Sequence, residues 1–273
     1  MLKIYITMRF LTKYLILAGL SMQEAMAYRV TFLISIMGGL VQVCILYYIW
    51  KVVYSGNHLI NDFSFHQIVT YIFISYAIKN LYSFYTEISI SSKIRDGSIA
   101  MELIKPLNYQ VARFFESLGK VAVEGIIVCS LVLIIGFGIF RINLPISFSL
   151  GVAFFFSVIL SIILNFIMSF LISLCAFWTT SVFGIVNSKR FIIDFFSGAL
   201  VPLAFFPEWL KHIAEWLPFQ ALVYIPLSIY QGKVTGETIF LALLKQIIWL
   251  AVLFCVASLV WKYAARKLII NGG

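Results

Sequence analysis

The chain has 273 residues, of which 62% are hydrophobic and 11% are charged, and its formal net charge is +9. A water-soluble domain holds roughly 45–50% apolar and about 25% charged residues, and its interior cannot take up such an excess of apolar surface. The composition therefore predicts an integral membrane protein. The basic residues stand in short segments between hydrophobic runs rather than in one stripe, which argues against nucleic-acid binding.

The segment before the first long apolar run is amphipathic. Its apolar positions recur at helical spacing on one face, at Leu11, Leu15, Ala18, Met22 and Ala25. We therefore expect an N-terminal amphipathic helix that lies along the membrane surface. The alternative is a signal peptide cleaved after Ala25-Met26-Ala27, which would invert the topology.

Six apolar runs satisfy the rule that a spanning helix needs about 20 residues. They cover Val30–Trp50, Gln67–Ile90, Val121–Phe140, Ile146–Phe177, Phe191–Phe206 and Ile239–Tyr263. The predicted fold is an all-α integral membrane protein with six transmembrane helices. We expect residues 1–273 to form this single domain, with no nucleotide-binding domain.

The basic residues predict the orientation of these helices. With the N-terminus inside, the inner segments hold Lys3, Arg9, Lys13, Arg29, Lys93, Arg95, Lys105, Arg113, Lys120, Lys189, Arg190, Lys262, Arg266 and Lys267. The outer segments hold only Lys51, Arg141, Lys211 and Lys233. Because basic loops remain in the cytoplasm, both termini should be cytoplasmic.

The longest predicted cytoplasmic connection runs from Ser91 to Lys120. Asp96 is a suitable N-cap and Pro106 a suitable stop, so Gly97–Ile104 is predicted to form a short helix. This helix is either part of an ordinary solvated hairpin or a docking element for a soluble partner.

A second unusual segment lies between the fifth and sixth spans. It is too apolar for a free loop, yet prolines at 202, 207, 218 and 226 divide it into pieces too short to cross the bilayer. After Pro207, the side chains of Trp209, Ile213 and Trp216 share one face, as expected for a helix at the outer interface. Phe219–Tyr230, closed by Gly232, would complete an outer re-entrant helical pair whose turn must be buried against protein. Pro202 and Pro218 mark the breaks in this pair.

A few polar residues fall inside the predicted spans, where each carries a cost. Lys79, beside Asn80, is the deepest, and it either has a buried partner or faces the transport pathway. Asn165 is expected to form a hydrogen bond between helices. Four residues nearer the span ends, Glu87, Glu124, Asp194 and Lys245, are expected to extend toward the headgroups.

No pattern in the chain indicates catalysis or metal binding. The four cysteines, Cys44, Cys129, Cys175 and Cys255, are isolated within apolar runs and are interpreted as small apolar side chains. The chain has no His-Glu-x-x-His pattern and no converging Ser/His/Asp set. Gly119-Lys120 is followed by Val121 and lacks the upstream glycine of a phosphate-binding loop. We therefore expect no catalytic, cofactor or metal site on this chain.

The layout resembles the membrane subunits of type-2 ABC exporters, also called ABC-2-type permeases. The resemblance covers nearly the whole chain and includes four local stretches. These are Arg95-Asp96-Gly97-Ser98 with Leu103-Ile104-Lys105-Pro106-Leu107, then Phe206-Pro207-Glu208-Trp209-Leu210, and Leu217-Pro218-Phe219.

This resemblance implies a permease subunit of the bacterial cytoplasmic membrane that works with two copies of a separate ATPase subunit, which would bind ATP and Mg. A second permease, identical or homologous, would complete the pathway. The coupling helix would comprise Arg95, Asp96, Gly97, Ser98, Glu102, Lys105 and Pro106. The alternative class is a channel or scaffold that does not use ATP. The transported substrate stays open.

Overall fold

A computed structural model describes the backbone of residues 2–27, 29–56, 58–82, 85–179 and 181–271, and side chains within 12–27, 36–56, 58–82, 86–179 and 181–266. Over these residues the fold is almost entirely helical. The α-helices are α1 (Leu2–Ala27), α2 (Arg29–Val53), α3 (Phe65–Asn80), α4 (Tyr85–Arg95), α5 (Ile99–Leu103), α6 (Tyr109–Lys120), α7 (Ile126–Gly138), α8 (Phe148–Leu174), α9 (Phe183–Phe196), α10 (Glu208–Trp216), α11 (Tyr224–Tyr230) and α12 (Glu237–Asn271). A short antiparallel hairpin, β1 (Leu59–Ile60) with β2 (Phe63–Ser64), precedes α3.

Four further helical turns connect these elements. Val121–Gly125 is a π-helical turn between α6 and α7, while Cys175–Phe177, Leu203–Phe205 and Pro218–Ala221 are 3₁₀ turns. Four stretches of the described chain are long and apolar enough to cross a bilayer: Ile36–Val53, Tyr109–Gly138, Phe148–Phe177 and Glu237–Arg266. They correspond to the first, third, fourth and sixth predicted spans.

The second predicted span is not one continuous helix. It divides into α3, of 16 residues, and α4, of 11 residues. At the end of α3 the N–H groups of Leu81 and Tyr82 donate to carbonyls only three residues back, which tightens the turn and ends the α-helix. The sequence contains no proline or glycine there, so the break was not predicted.

The fifth predicted span also differs, because α9 begins at Phe183 and ends at Phe196. The prediction of Phe191–Phe206 was wrong at both ends. Lys189 and Arg190, taken to be in a connection, lie inside this helix. Beyond it, Gly198 takes a positive φ of 79° and ends the α-helical path.

The N-terminal helix α1 packs along α6. Tyr14 is fully buried: its ring lies 5.5 Å from that of Phe115, and its hydroxyl accepts the backbone N–H of Asn108 at 3.1 Å. Gly119 allows this close approach, because a Cβ there would lie 2.2 Å from the carbonyl oxygen of Ala18.

Among the described side chains, the buried face of α1 shares only Ala25 with the apolar stripe that was expected to lie on the membrane surface. It contains Tyr14, Ser21 and Ala25, whereas Leu15 points outward, and the side chain of Leu11 lies outside the described residues.

The buried apolar residues form two clusters. The larger one surrounds α3, α11 and the facing sides of α2, α7 and α8. The smaller one joins α4, α5, α6 and α8 to α12 through Ile90, Ile99, Tyr109, Phe170 and Ala257. The short helix α5 is thus attached to the packed interior rather than free in solvent.

Candidate functional site

The helix α5 begins with a turn that depends on Gly97. This residue has a φ of +77°, in the left-handed region that favours glycine. The backbone N–H of Ser98 donates to Oδ1 of Asp96 at 2.9 Å. The hydroxyl and N–H of Ser98 hold the pKa of the Asp96 carboxyl below its usual range. Asp96 therefore stabilises the turn, but Ser98, not Asp96, occupies the N-cap position, and the helix is Ile99–Leu103, shorter than predicted.

Two contacts fix α5 to the rest of the protein. Ile99 is fully buried in the smaller apolar cluster. Glu102 receives Nζ of Lys93 at 2.7 Å and lies 3.4 Å from Nη2 of Arg113, which also pairs with Glu116 at 2.6 Å. Glu102 therefore faces inward, and it joins α5 to both α4 and α6.

The outward side of α5 is apolar. Met101 and Ile104 are 69% and 78% exposed, and Leu103 is also exposed. Three further predicted coupling residues, Arg95, Lys105 and Pro106, are exposed around them. We call Met101, Leu103 and Ile104 the α5 apolar patch. An apolar patch on a short, firmly attached helix is typical of a contact site for another protein.

An aromatic stack continues from this region to α12. The guanidinium of Arg113 lies 5.2 Å from the ring centre of Tyr109, and that ring stacks on Trp261 at 4.8 Å and an interplanar angle of 6°. The ring of Phe170, on α8, is 5.8 Å from Trp261. A force applied to α5 can therefore be transmitted through Glu102 and Arg113 to α6, and through the adjoining aromatic rings to α8 and α12.

The segment that was predicted to form an outer re-entrant pair contains α10, the turn Pro218–Ala221 and α11. Pro207 stands directly before α10, and Pro218 is the first residue of the turn. Trp209 and Trp216 are 65% and 82% exposed on α10, as expected at a membrane interface. In contrast, α11 is buried from Ile225 to Tyr230.

Pro202 starts the 3₁₀ turn Leu203–Phe205, within the non-helical backbone between α9 and α10. Side chains of α3 satisfy this backbone. The hydroxyl of Tyr71 donates to the carbonyl of Gly198 at 2.7 Å, and that of Ser75 donates to Ala199 at 3.0 Å. Since lipid offers no donors, such bonds are what non-helical backbone at membrane depth requires.

The turn Pro218–Ala221 and the residue after it are held by donors from α8, from α12 and from the break after α3. The hydroxyl of Tyr82 donates to the carbonyl of Leu222 at 2.5 Å. The carbonyl of Ala221 accepts both Nε2 of Gln246 at 2.7 Å and the hydroxyl of Ser161 at 2.9 Å. Gln246, on α12, also receives the hydroxyl of Ser157 at 2.9 Å. The burial of this turn, expected from the sequence, is confirmed.

Two ion pairs join α3 and α4 to α9. Nζ of Lys79 lies 2.6 Å from Oδ1 of Asp194, both side chains being mostly buried. Lys189 pairs with Glu87, both almost fully buried, and also donates to the hydroxyl of Ser169 at 2.7 Å. Lys79 thus has the buried partner that was one of its two predicted roles.

The expected extension of Glu87 and Asp194 toward headgroups was wrong. Both carboxylates are paired inside the protein, since two lysines on facing helices lie within reach. Asn80 donates to the carbonyl of Tyr76 in its own helix at 2.7 Å. Asn165 is buried, but its expected interhelical hydrogen bond is not found among the described residues.

The polar residues that do hold the helices together were largely missed. Gln246, Ser157 and Ser161 carry the network at the re-entrant turn. The sequence did contain a pattern that could have identified them, because Ser157 and Ser161 are one turn apart on α8 and Gln246 interrupts a long apolar run. A polar residue in such a run indicates a hydrogen bond between helices.

The comparison with known proteins agrees with the resemblance seen in the sequence. A family described as "ABC-2 family transporter protein" matches residues 40–272, which is most of the chain. No curated protein matched it. The family consists of transmembrane permeases and lacks ATPase motifs, as this sequence does. The chain therefore belongs to the ABC-2 family of transporter membrane proteins and is a multi-pass membrane protein.

Proposed function

We propose that this chain is the permease subunit of an ABC exporter in a bacterial cytoplasmic membrane. It forms half of the transport pathway and transmits ATP-driven movement from a separate ATPase subunit through α5. The observation that carries the proposal is the α5 apolar patch: three exposed apolar side chains on a helix fixed to the protein by Ile99 and Glu102.

Residues 1–273 form one membrane domain in this proposal, which crosses the bilayer six times. The crossings are α2, then α3 with α4, then α6 with α7, α8, α9 and α12. The two broken or short crossings are completed by non-helical backbone that protein side chains satisfy, which is the condition for such backbone inside a membrane. The distribution of basic residues supports cytoplasmic termini.

The partner is an ABC ATPase subunit, present in two copies and carrying ATP and Mg. An exposed apolar helix requires a soluble partner on the same side of the membrane, and the basic residues Arg95 and Lys105 support a cytoplasmic location for it. A second permease subunit provides the other half of the pathway.

The first experiment is co-purification. The chain is expressed with and without the ABC ATPase encoded beside its gene, purified in detergent and assayed for ATP hydrolysis. We expect no hydrolysis by the chain alone and hydrolysis by the co-purified complex after reconstitution. Hydrolysis by the isolated chain, or no complex with any such ATPase, would reject the proposal, and the second result is what a channel or scaffold would give.

A further inference from the structure

The side chain of Gln42 lies at an unexpected place for a polar group. It is exposed on α2, within the stretch Ile36–Val53 that can cross a bilayer. At 1.5 Å per residue it lies about 20 Å along the helix from Arg29 and about 14 Å from Lys51. Gln42 is therefore close to the middle of the hydrocarbon layer and too far from either headgroup region to reach it.

No hydrogen bond joins the side chain of Gln42 to another residue in the described part of the chain. Several other polar residues of the long spans do have partners. Gln246, Ser157 and Ser161 are buried in a shared network. Ser130 is exposed, but it donates to the carbonyl of Ile126 in its own helix.

An amide in hydrocarbon without a hydrogen-bond partner carries a large desolvation cost, because nothing replaces the hydrogen bonds that it made with water. Lipid tails cannot supply that partner, whereas a polar group on a helix of a neighbouring protein chain can. The surrounding face suits close helix packing. Gly38 is exposed one turn away with nothing near it, and Ile45 and Ile49 are exposed on the same side.

We propose that this face of α2, made of Gly38, Gln42, Ile45 and Ile49, packs against the same face of a second copy of this chain. The amide of Gln42 then bonds with its counterpart across a two-fold axis. A glutamine amide both donates and accepts, so two symmetry-related copies complement each other without any other group. The inference rests on the proposed pairing of two permeases and assigns both the surface and the partner.

Disulfide formation in membranes tests the contact. In a chain whose four native cysteines are replaced by alanine, Gln42→Cys should give a covalent dimer on mild oxidation. Two exposed control positions should not. One is Cys44 restored on α2, about 160° around the helix from Gln42, and the other is Ile248→Cys on α12. Equal linkage at all three positions, or none at position 42, overturns the inference.

Association in detergent, measured with native cysteines, tests the amide itself. Gln42→Leu should weaken dimerisation roughly threefold to tenfold, as for the loss of an interhelical hydrogen bond. Gln42→Asn keeps an amide and should retain more of the dimer. An unchanged dimer in Gln42→Leu rejects the role of the amide.

Failure of this inference can be distinguished from failure of the proposed function. If the ATPase complex forms and works but Gln42→Cys does not link two copies, the partner at this face is a different permease and only the inference fails. If copies link through Gln42 but no ATPase binds, the inference holds and the proposed function fails.

Discussion

Gln246 donates a hydrogen bond to the carbonyl of Ala221 at 2.7 Å, and this single contact joins the last long helix to the turn of the re-entrant pair. The amide oxygen of Gln246 receives the hydroxyl of Ser157 in return. Three segments far apart in sequence therefore meet at one side chain that is almost fully buried. The outer helical pair is held at its turn, while its α10 face stays exposed.

Replacement of Gln246 by leucine should destabilise the protein by about 1–3 kcal/mol, because a buried hydroxyl and a buried carbonyl each lose a partner. Thermal unfolding in detergent measures the change. Gln110→Leu is the control, since Gln110 is half-buried on α6 and has no side-chain hydrogen bond among the described residues. The stability of this control variant should stay within about 0.5 kcal/mol of the wild type. Equal effects of the two variants would contradict a structural role for the network.

The ion pair between Glu87 and Lys189 gives a second prediction. Lys189→Met leaves a carboxylate buried without a counter-charge and should cost about 3–5 kcal/mol. The double variant Glu87→Gln with Lys189→Met removes both charges and should recover most of the stability. A double-mutant cycle by denaturant or thermal unfolding measures this coupling, and additive losses would show that the two residues do not act as a pair.

The membrane class, the proline-broken segment after α9 and the position of the short helix before Pro106 could be predicted, because each depends on local signals. Apolar runs, prolines and Asp96 are all visible in the sequence. The break after Asn80 could not be predicted, since no residue there disfavours a helix. It depends on the contact of Tyr82 with Leu222, which is 140 residues away along the chain.

The ion pairs were missed for a similar reason. Asp194 and Glu87 stand near the ends of apolar runs, where extension to the headgroups is the usual outcome. Their partners, Lys79 and Lys189, are within reach only because the fold packs α9 beside α3 and α4. Glu102 was assigned to the coupling surface, but the structure turns it inward to Lys93 and Arg113, and the exposed positions are Met101, Leu103 and Ile104.

The α5 apolar patch leads to a third prediction. Ile104→Glu places a charge on its most exposed member and should weaken ATPase binding, because the apolar contact would have to bury that charge. Co-purification with the ATPase and transport-linked ATP hydrolysis measure the loss. Leu59→Glu alters an equally exposed apolar residue in the hairpin before α3 and should leave both unchanged. If Ile104→Glu binds the ATPase and links hydrolysis to transport as the wild type does, the α5 apolar patch is not part of the contact with the ATPase.

Gly97 supplies the last prediction, and the chain offers a close control for it. Gly97 and Gly236 have positive φ values of 77° and 59°, and neither has an atom within 4 Å of the position that a Cβ would take. Valine at either site meets the same backbone strain, of order 1–3 kcal/mol, without a steric clash. The two variants should therefore lose similar stability in thermal unfolding.

Their effects on coupling should differ. Gly97→Val reorients the turn that aims α5, so ATP hydrolysis should continue with reduced transport in reconstituted vesicles, while the amount of protein inserted in the membrane is unchanged. Gly236→Val strains a turn before α12, far from α5 in the sequence, and should keep the wild-type ratio of transport to hydrolysis. If both variants lower that ratio equally, the effect comes from general destabilisation, and the conformation at Gly97 has no special part in coupling.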